Sequence, residues 1–216
     1  MRTPSGLQSH LRYPLTRLFG SPGNVRVLRA LSDGLPDSAT QIAKSAGLSP
    51  QGTRQVLDVL VSQGVVTSNG SARTRLFELA GNHAFHQPML ELFKAERDSW
   101  EALVAGLRDQ LSGRSDVEAA WLYGSVARGE DTPASDIDVA LLVTRPEVGD
   151  DVRNDLMKME DALGVNVSVS ALTPKEIAAL PANDAWWADV VRDARVLKGD
   201  RPETEMKRVR ARMDAT

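Results

Sequence analysis

Residues 122–143, LYGSVARGEDTPASDIDVALLV, constrain the fold more than any other part of the chain. They set Gly124-Ser125 ahead of Asp136-Ile137-Asp138 with ten residues between. Side chains alternate along a strand, so Asp136 and Asp138 share one face while Ile137, Val139, Leu141 and Val143 take the other. The apolar segment VEAAWLY (117–123) reads as a second buried strand that delivers the Gly-Ser turn at its end. Such a turn offers backbone N–H groups and a hydroxyl to phosphate oxygens, and the N-terminus of a short helix at 126–128 favours the same charge. Two neighbouring carboxylates repel each other unless a cation holds them. A hard divalent ion prefers oxygen ligands and bridges to phosphates, so Mg²⁺ or Mn²⁺ is expected here. The bland alternative is a strand end with two solvated aspartates. It leaves the upstream Gly-Ser spacing unexplained.

This segment resembles the nucleotidyltransferase superfamily of the DNA polymerase β type, in its minimal form. The signature residues are Gly124, Ser125, Asp136 and Asp138, and Ser135 matches the Ser-Asp-x-Asp form common in that family. The resemblance implies a catalytic, metal-holding pair, Asp136 and Asp138. It implies nucleotide binding by Gly124, Ser125, Ser135 and Arg128, although for Arg128 a structural salt bridge serves as well. A hydroxyl would attack the α-phosphorus of a nucleoside triphosphate and pyrophosphate would leave. Minimal relatives attach AMP to a partner toxin or modify aminoglycosides, which brings in a toxin-like protein as an acceptor. Active members usually add a third carboxylate on a neighbouring strand. Here the candidate strand is VNVSV (165–169), and Asn166 or Ser168 fills that position. Glu118, Glu130 and Asp131 are the substitutes within reach of the motif, but no spacing places them. Turnover and nucleotide sensing without turnover therefore both stay open.

The first eighty residues follow a different pattern. Val25, Leu28 and Leu31 recur at helical spacing. Ser38-Ala39-Thr40-Gln41 is a capping-box start for a second helix, with Ile42, Ala43 and Ala46 as its apolar face and Gly47 as its stop. Ser49 caps a third helix with Pro50 in its first turn, and Val56, Leu57 and Leu60 are expected to be its buried stripe. A hairpin follows, with strands near 65–67 and 74–79. Three helices and a two-stranded wing resemble the small dimeric winged helix-turn-helix regulators of bacteria. That resemblance makes residues 50–63 the recognition helix, with Gln51, Thr53, Arg54 and Gln55 near its base-reading end and Arg73 and Arg75 on the wing. Double-stranded DNA is then the expected partner. The charge agrees: residues 1–80 carry a net +5, against −8 for residues 81–216.

Residues 82–111 read as a connecting helix, with Pro88 as its candidate break, whose apolar stripe packs on its own chain or on a second subunit of a homodimer. His83 and His86 at its start have no third ligand in the sequence nearby and read as surface or capping residues. The expected organisation is α+β. It comprises a winged helix-turn-helix at 1–80, a connecting or dimerisation helix at 81–112, a nucleotidyltransferase fold at 113–200 with a small mixed sheet flanked by helices, and a basic tail at 201–216. Of Trp186 and Trp187, adjacent in sequence, one is expected in the core. The chain has no cysteine, which excludes disulfides and thiolate zinc sites. It has no long apolar run and no signal-peptide core, so a cytoplasmic protein without membrane contact is the expectation.

Overall fold

The computed structural model describes residues 12–71, 74–163 and 166–215, apart from the side chains of residues 158–163. The chain divides into two compact units, residues 1–99 and 100–216.

The first unit is a winged helix. Helices α1 (Leu15–Leu18) and α2 (Pro22–Leu31) precede the short strand β1 (Asp37–Ser38) and helices α3 (Ala39–Ala46) and α4 (Pro50–Ser62). Strands β2 (Val66–Asn69) and β3 (Leu76–Leu79) form the wing. The helix boundaries follow from local chemistry. Ser21, Ser38 and Ser49 each accept a backbone N–H in the first turn of α2, α3 and α4, satisfying donors that a helix start leaves unpaired. Gly47 ends α3 in the left-handed region (φ 61°), as expected. The sheet holds one strand more than the sequence pattern suggested, because β1 pairs antiparallel with β3 in the order β1-β3-β2. Val27, Leu28, Leu31, Ile42, Leu57, Leu60, Phe77 and Leu79 make the core. Met89 and Phe93 on the first half of helix α5 (His86–Ser112) complete it. That helix starts four residues later than expected and runs unbroken. Pro88 lies in its first turn, where a missing N–H forfeits no intrahelical bond. The His83 ring nitrogen accepts the Phe85 N–H just ahead of the helix, a capping role.

The second unit is built on a four-stranded sheet. The last turns of α5 lead to β4 (Val117–Tyr123), α6 (Gly124–Arg128), β5 (Ile137–Val143), α7 (Glu147–Leu163) and β6 (Val167–Leu172). Then come α8 (Pro174–Ala179), α9 (Ala185–Asp193), β7 (Arg195–Lys198) and α10 (Pro202–Asp214). Strand order is β6-β5-β4-β7. Only β5 and β6 run parallel, joined by α7 as a crossover helix, and the other pairs are antiparallel. Both faces are covered. Leu107 and Leu111 of α5 and Val148, Val152 and Leu156 of α7 pack on Leu122, Val139, Leu141 and Val169. The opposite face holds Trp121, Tyr123, Ala140 and Leu142 under Ile177, Trp187, Val190 and Val209 from α8, α9 and α10. Each fully buried leucine contributes roughly 1.5–3 kcal/mol by leaving water. Lys198 Nζ donates to the carbonyls of Leu111 (3.0 Å), Ser112 (3.4 Å) and Arg114 (2.5 Å), closing the C-terminal end of α5.

Residues after 200, read from the sequence as a basic tail, form α10 instead. Its Val209 is buried, and its arginines are engaged by acids: Arg212 by Glu118, remote in sequence, and Arg208 by the nearby Asp200 and Glu205. Among the described residues no helix is long and apolar enough to cross a membrane.

Candidate functional site: a nucleotide corner and a basic cleft

Tyr123, the last residue of β4, lies opposite Asp138 in the antiparallel ladder, so the turn after β4 meets the polar start of β5. Gly124 opens that turn with φ 77°. A Cβ placed on it would sit 2.4 Å from Asp138 Oδ2, a distance no real carbon tolerates. Glycine is thus favoured twice, for a left-handed backbone and for the approach of the main chain to a carboxylate that a Cβ would displace. The five-residue α6 is too short for a significant macrodipole. No side chain caps its N-terminus, so its first N–H groups remain available. Ser125 adds a hydroxyl with no hydrogen-bond partner among the described residues.

Asp136 is exposed just before β5, and Asp138 is half-buried two residues on. Burial pushes the Asp138 carboxyl above the usual aspartate range, and the neighbouring charge of Asp136 pushes it further, while Arg128 pulls the other way. Ionising Asp138 in this corner is therefore disfavoured, first by burial and then by the charge beside it.

The parallel ladder resolves the third position. Asp138 pairs with Ser168, and Val167 and Val169 point into the core on the other face. Ser168, rather than Asn166, thus stands beside the carboxylate pair. Asn166 is exposed just ahead of β6, its carbonyl accepting the Ile137 N–H. The substitutes weighed from sequence lie elsewhere or are engaged. Glu118 is at the far end of β4, about 17 Å from Tyr123 along the strand, and pairs with Arg212. Glu130 pairs with Arg128 at 2.7 Å. Asp131 is exposed in the loop. Among the described residues no three acids or histidines are grouped to hold a metal ion.

Arg128 is anchored by Glu130 and by Asp193, whose side chain is only 2% exposed. Asp193 also accepts from Arg192 at 2.8 Å, and these two partners, Arg192 first, hold its carboxyl below the usual range. Arg195 Nε donates to the Ala127 carbonyl at 3.0 Å, and its guanidinium lies over the Trp100 ring. The Gly-Ser turn is thus fastened through α6 to α9, β7 and α5, and Arg128 acts on the corner mainly as a fixed positive field. Ser135 Oγ accepts the Thr132 N–H at 2.9 Å, which shapes the loop that delivers Asp136.

In the first unit, Arg54 on α4 and Arg75 on the wing line one cleft of about 470 Å³, with Ser38, Thr40, Asp58 and Phe77. Arg75 is held by Ser68 Oγ (2.8 Å) and lies 5.1 Å over the Phe77 ring. Gln51 and Gln55 are exposed on the same helix. Thr53 corrects the sequence reading. It has no exposed surface, and its hydroxyl donates to the Ser49 carbonyl at 3.0 Å, so it locks the first turn of α4 and faces the core. The signal was present in the spacing, since Thr53, Leu57 and Leu60 make one buried stripe. Arg73 lies outside the described residues. The sequence reading also passed over Tyr123 as a site neighbour, because only strand register reveals that it faces Asp138.

Residues 106–180 match the family model described as polymerase beta, nucleotidyltransferase. No curated protein matches the chain. Among solved structures, a MarR family transcriptional regulator from Silicibacter pomeroyi DSS-3 is 24% identical with a TM-score of 0.35, covering 47% of this chain and 73% of that one. The toxin–antitoxin MntA–HpeT is 19% identical with a TM-score of 0.35, covering 53% of this chain and 83% of that one. A homodimeric winged helix-turn-helix DNA-binding domain from Mycobacterium bovis is 16% identical with a TM-score of 0.31, covering 45% of this chain and 91% of that one. Residues 106–180, which carry the Gly-Ser turn and the Asp-x-Asp strand end, are thus the part of the chain that is similar to the polymerase beta nucleotidyltransferase family.

Proposed function

We propose that the chain is a DNA-binding regulator whose second unit binds a nucleoside triphosphate with Mg²⁺ or Mn²⁺. The observation that carries this reading is the contact of Gly124 with Asp138, which brings a phosphate-binding turn and a carboxylate pair to one corner. The donor set fits a hard cation, since Asp136 and Asp138 offer oxygen ligands, and burial, with the charge of Asp136 second, disfavours an ionised Asp138 that no cation balances. Asp136 and Asp138 would hold the ion, which supplies charge neutralisation at the phosphates when bound. Gly124 and Ser125 would receive the triphosphate through backbone N–H groups and the Ser125 hydroxyl. Arg128 lends a fixed positive field, and Ser135 shapes the loop around the phosphates.

The reaction open to such a site is transfer of a nucleoside monophosphate. The oxygen of an acceptor hydroxyl forms a bond to the α-phosphorus, the bond from that phosphorus to the bridging oxygen breaks, and pyrophosphate leaves with the electron pair. The acceptor proton passes to solvent. A hydroxyl on a toxin-like protein partner is one acceptor of this class. A second reading, nucleotide sensing without turnover, is favoured by Ser168, which brings neither charge nor a useful base to the position beside Asp138. In the first unit, the recognition helix with Gln51, Arg54 and Gln55, and the wing with Arg75, meet duplex DNA. The net positive charge of residues 1–80 supports this. We place the protein in the cytoplasm, as a homodimer on paired half-sites.

The test is α-labelled nucleoside triphosphate and Mg²⁺ with purified protein and host lysate, wild type against Asp138→Ala. Label on an acceptor with wild type alone supports transfer. Binding of nucleotide without label transfer supports sensing. Failure of wild type to bind any Mg–nucleotide refutes both.

A further inference from the structure

We infer that Tyr123 and Trp186 form the nucleoside side of the corner, with the Trp186 indole as the platform on which the base stacks. The inference rests on the nucleotide-binding reading above and adds the part of the ligand that phosphate contacts do not address.

Three observations carry it. Tyr123 immediately precedes Gly124 and is the ladder partner of Asp138, so both side chains project from the same face of the sheet. Trp186 Nε1 donates to Tyr123 Oη at 3.0 Å, and the rings meet edge to face with centroids 6.1 Å apart at 87°. The indole is therefore fixed one side chain away from the carboxylate pair. A hydroxyl that accepts from an N–H keeps its own proton to donate, and a ribose hydroxyl or phosphate oxygen is the acceptor this corner would present.

A second aromatic layer supports Trp186 without burying it fully. Trp187, next in sequence, is core and stacks edge to face on Trp121 at 5.8 Å, and Trp186 leans on Trp187 at 6.0 Å. Asp184 accepts the Trp187 N–H at 2.7 Å and sets the first turn of α9. Trp121 is itself tied down by its indole N–H, which donates to the Asp200 carbonyl at 2.8 Å. Trp186 is left part exposed with its polar edge already satisfied. With its one polar atom engaged, what Trp186 can still present to a ligand is aromatic carbon, which any nucleobase can stack on and which offers a tripolyphosphate nothing. The ligand class is a nucleoside triphosphate whose base contributes to affinity, purines more than pyrimidines because they cover more of the ring.

The experiment is calorimetric titration of the full chain with Mg–ATP, Mg–CTP and Mg–tripolyphosphate. It compares wild type, Trp186→Ala, Trp186→Phe and Asp138→Asn. Trp186→Ala should bind Mg–ATP about 10- to 100-fold more weakly and Mg–tripolyphosphate as wild type does. Trp186→Phe should recover most of the loss. Asp138→Asn should weaken all three ligands. Should Trp186→Ala not fold, tryptophan emission decides: Mg–ATP quenches wild type, and Trp186→Phe keeps binding but loses most of the quench. Equal Mg–ATP affinity in Trp186→Ala and wild type overturns the inference while leaving nucleotide binding intact. So does an equal loss for ATP and tripolyphosphate, or a full quench in Trp186→Phe. A wild type that binds tripolyphosphate as tightly as ATP also overturns it, and one that binds neither overturns the nucleotide reading along with it.

Discussion

Replacing Gly124 by alanine separates the corner's chemistry from its backbone strain. An L-residue in the left-handed region costs about 1–2 kcal/mol, and Gly124 has φ 77°. The new Cβ would also lie 2.4 Å from Asp138 Oδ2 and 3.2 Å from Cγ. Ordinary carbon contacts begin near ~3.5 Å, so the carboxylate must retreat by about 1 Å. Pushing it off its rotamer adds about 0.5–1.5 kcal/mol. Gly124→Ala should therefore lose about 2–3 kcal/mol of stability. Gly129→Ala is the matched control. It has φ 71° with nothing within 4 Å of the added Cβ, and so bears only the backbone term of about 1–2 kcal/mol. Function should part the two variants more widely than stability. A displacement of ~1 Å in a reacting group is worth on the order of 100-fold. Gly124→Ala should lose 10- to 100-fold in Mg–nucleotide affinity or transfer by that principle, and Gly129→Ala should stay near wild type. Tryptophan emission in urea is the stability assay, because Trp100, Trp121, Trp186 and Trp187 are the chain's tryptophans and all lie in the second unit. Unaltered nucleotide affinity in Gly124→Ala, or an equal loss in Gly129→Ala, would refute the reasoning.

Asp138→Asn should stabilise the metal-free protein at neutral pH. A carboxyl whose folded pKa is raised binds more protons folded than unfolded, so its contribution falls as pH rises through the unfolded and then the folded value. The gain should vanish at pH values below the ordinary aspartate range and shrink when Mg²⁺ is added to wild type; a loss of stability at pH 7 would contradict it. Ser168→Asp restores a third carboxylate beside Asp138 and should tighten Mg²⁺ binding and raise transfer at least tenfold, about 1.4 kcal/mol. An Asn166→Asp variant that outperforms it would contradict the ladder register. Arg54→Ala should weaken binding to DNA selected by the wild-type protein by about 1–3 kcal/mol. Thr53→Ala should change stability by about 0.5–1.5 kcal/mol through its lost hydrogen bond and leave base preference unaltered, which a repeat selection would show.

What the sequence makes legible is what chemistry within a few residues decides. Ser38, Gly47 and Ser49 mark helix ends because their bonds close within one turn. Gly124 and Asp138 are legible as a pair through their spacing, though not as the close contact that a Cβ at position 124 would displace. Ser168 and Asn166 are indistinguishable without register, since both lie on one face of the strand and only the β5–β6 pairing says which one meets Asp138. The two residues of β1 are too few to show a period, and they form a strand only because β3 offers an edge. Residues 203–212 look like a solvated basic run because Glu118, the partner of Arg212, and the core that buries Val209 lie far away in sequence. Arg128 needed the structure for the same reason, its partner Asp193 being 65 positions downstream.

The pairing of β4 with β7 has a consequence for how the chain is made. Leu122 takes Arg195 as its ladder partner, 73 positions later, and Lys198 closes the end of α5 only once that strand has docked. At about 5–20 residues per second, the outer edge of β4 waits roughly 4–15 s on the ribosome for its neighbour. An unpaired apolar edge is a template for other nascent chains. A premature stop after residue 194 would therefore not trim an appendage. It would leave the central strands open on one side, with β7 and α10 both gone.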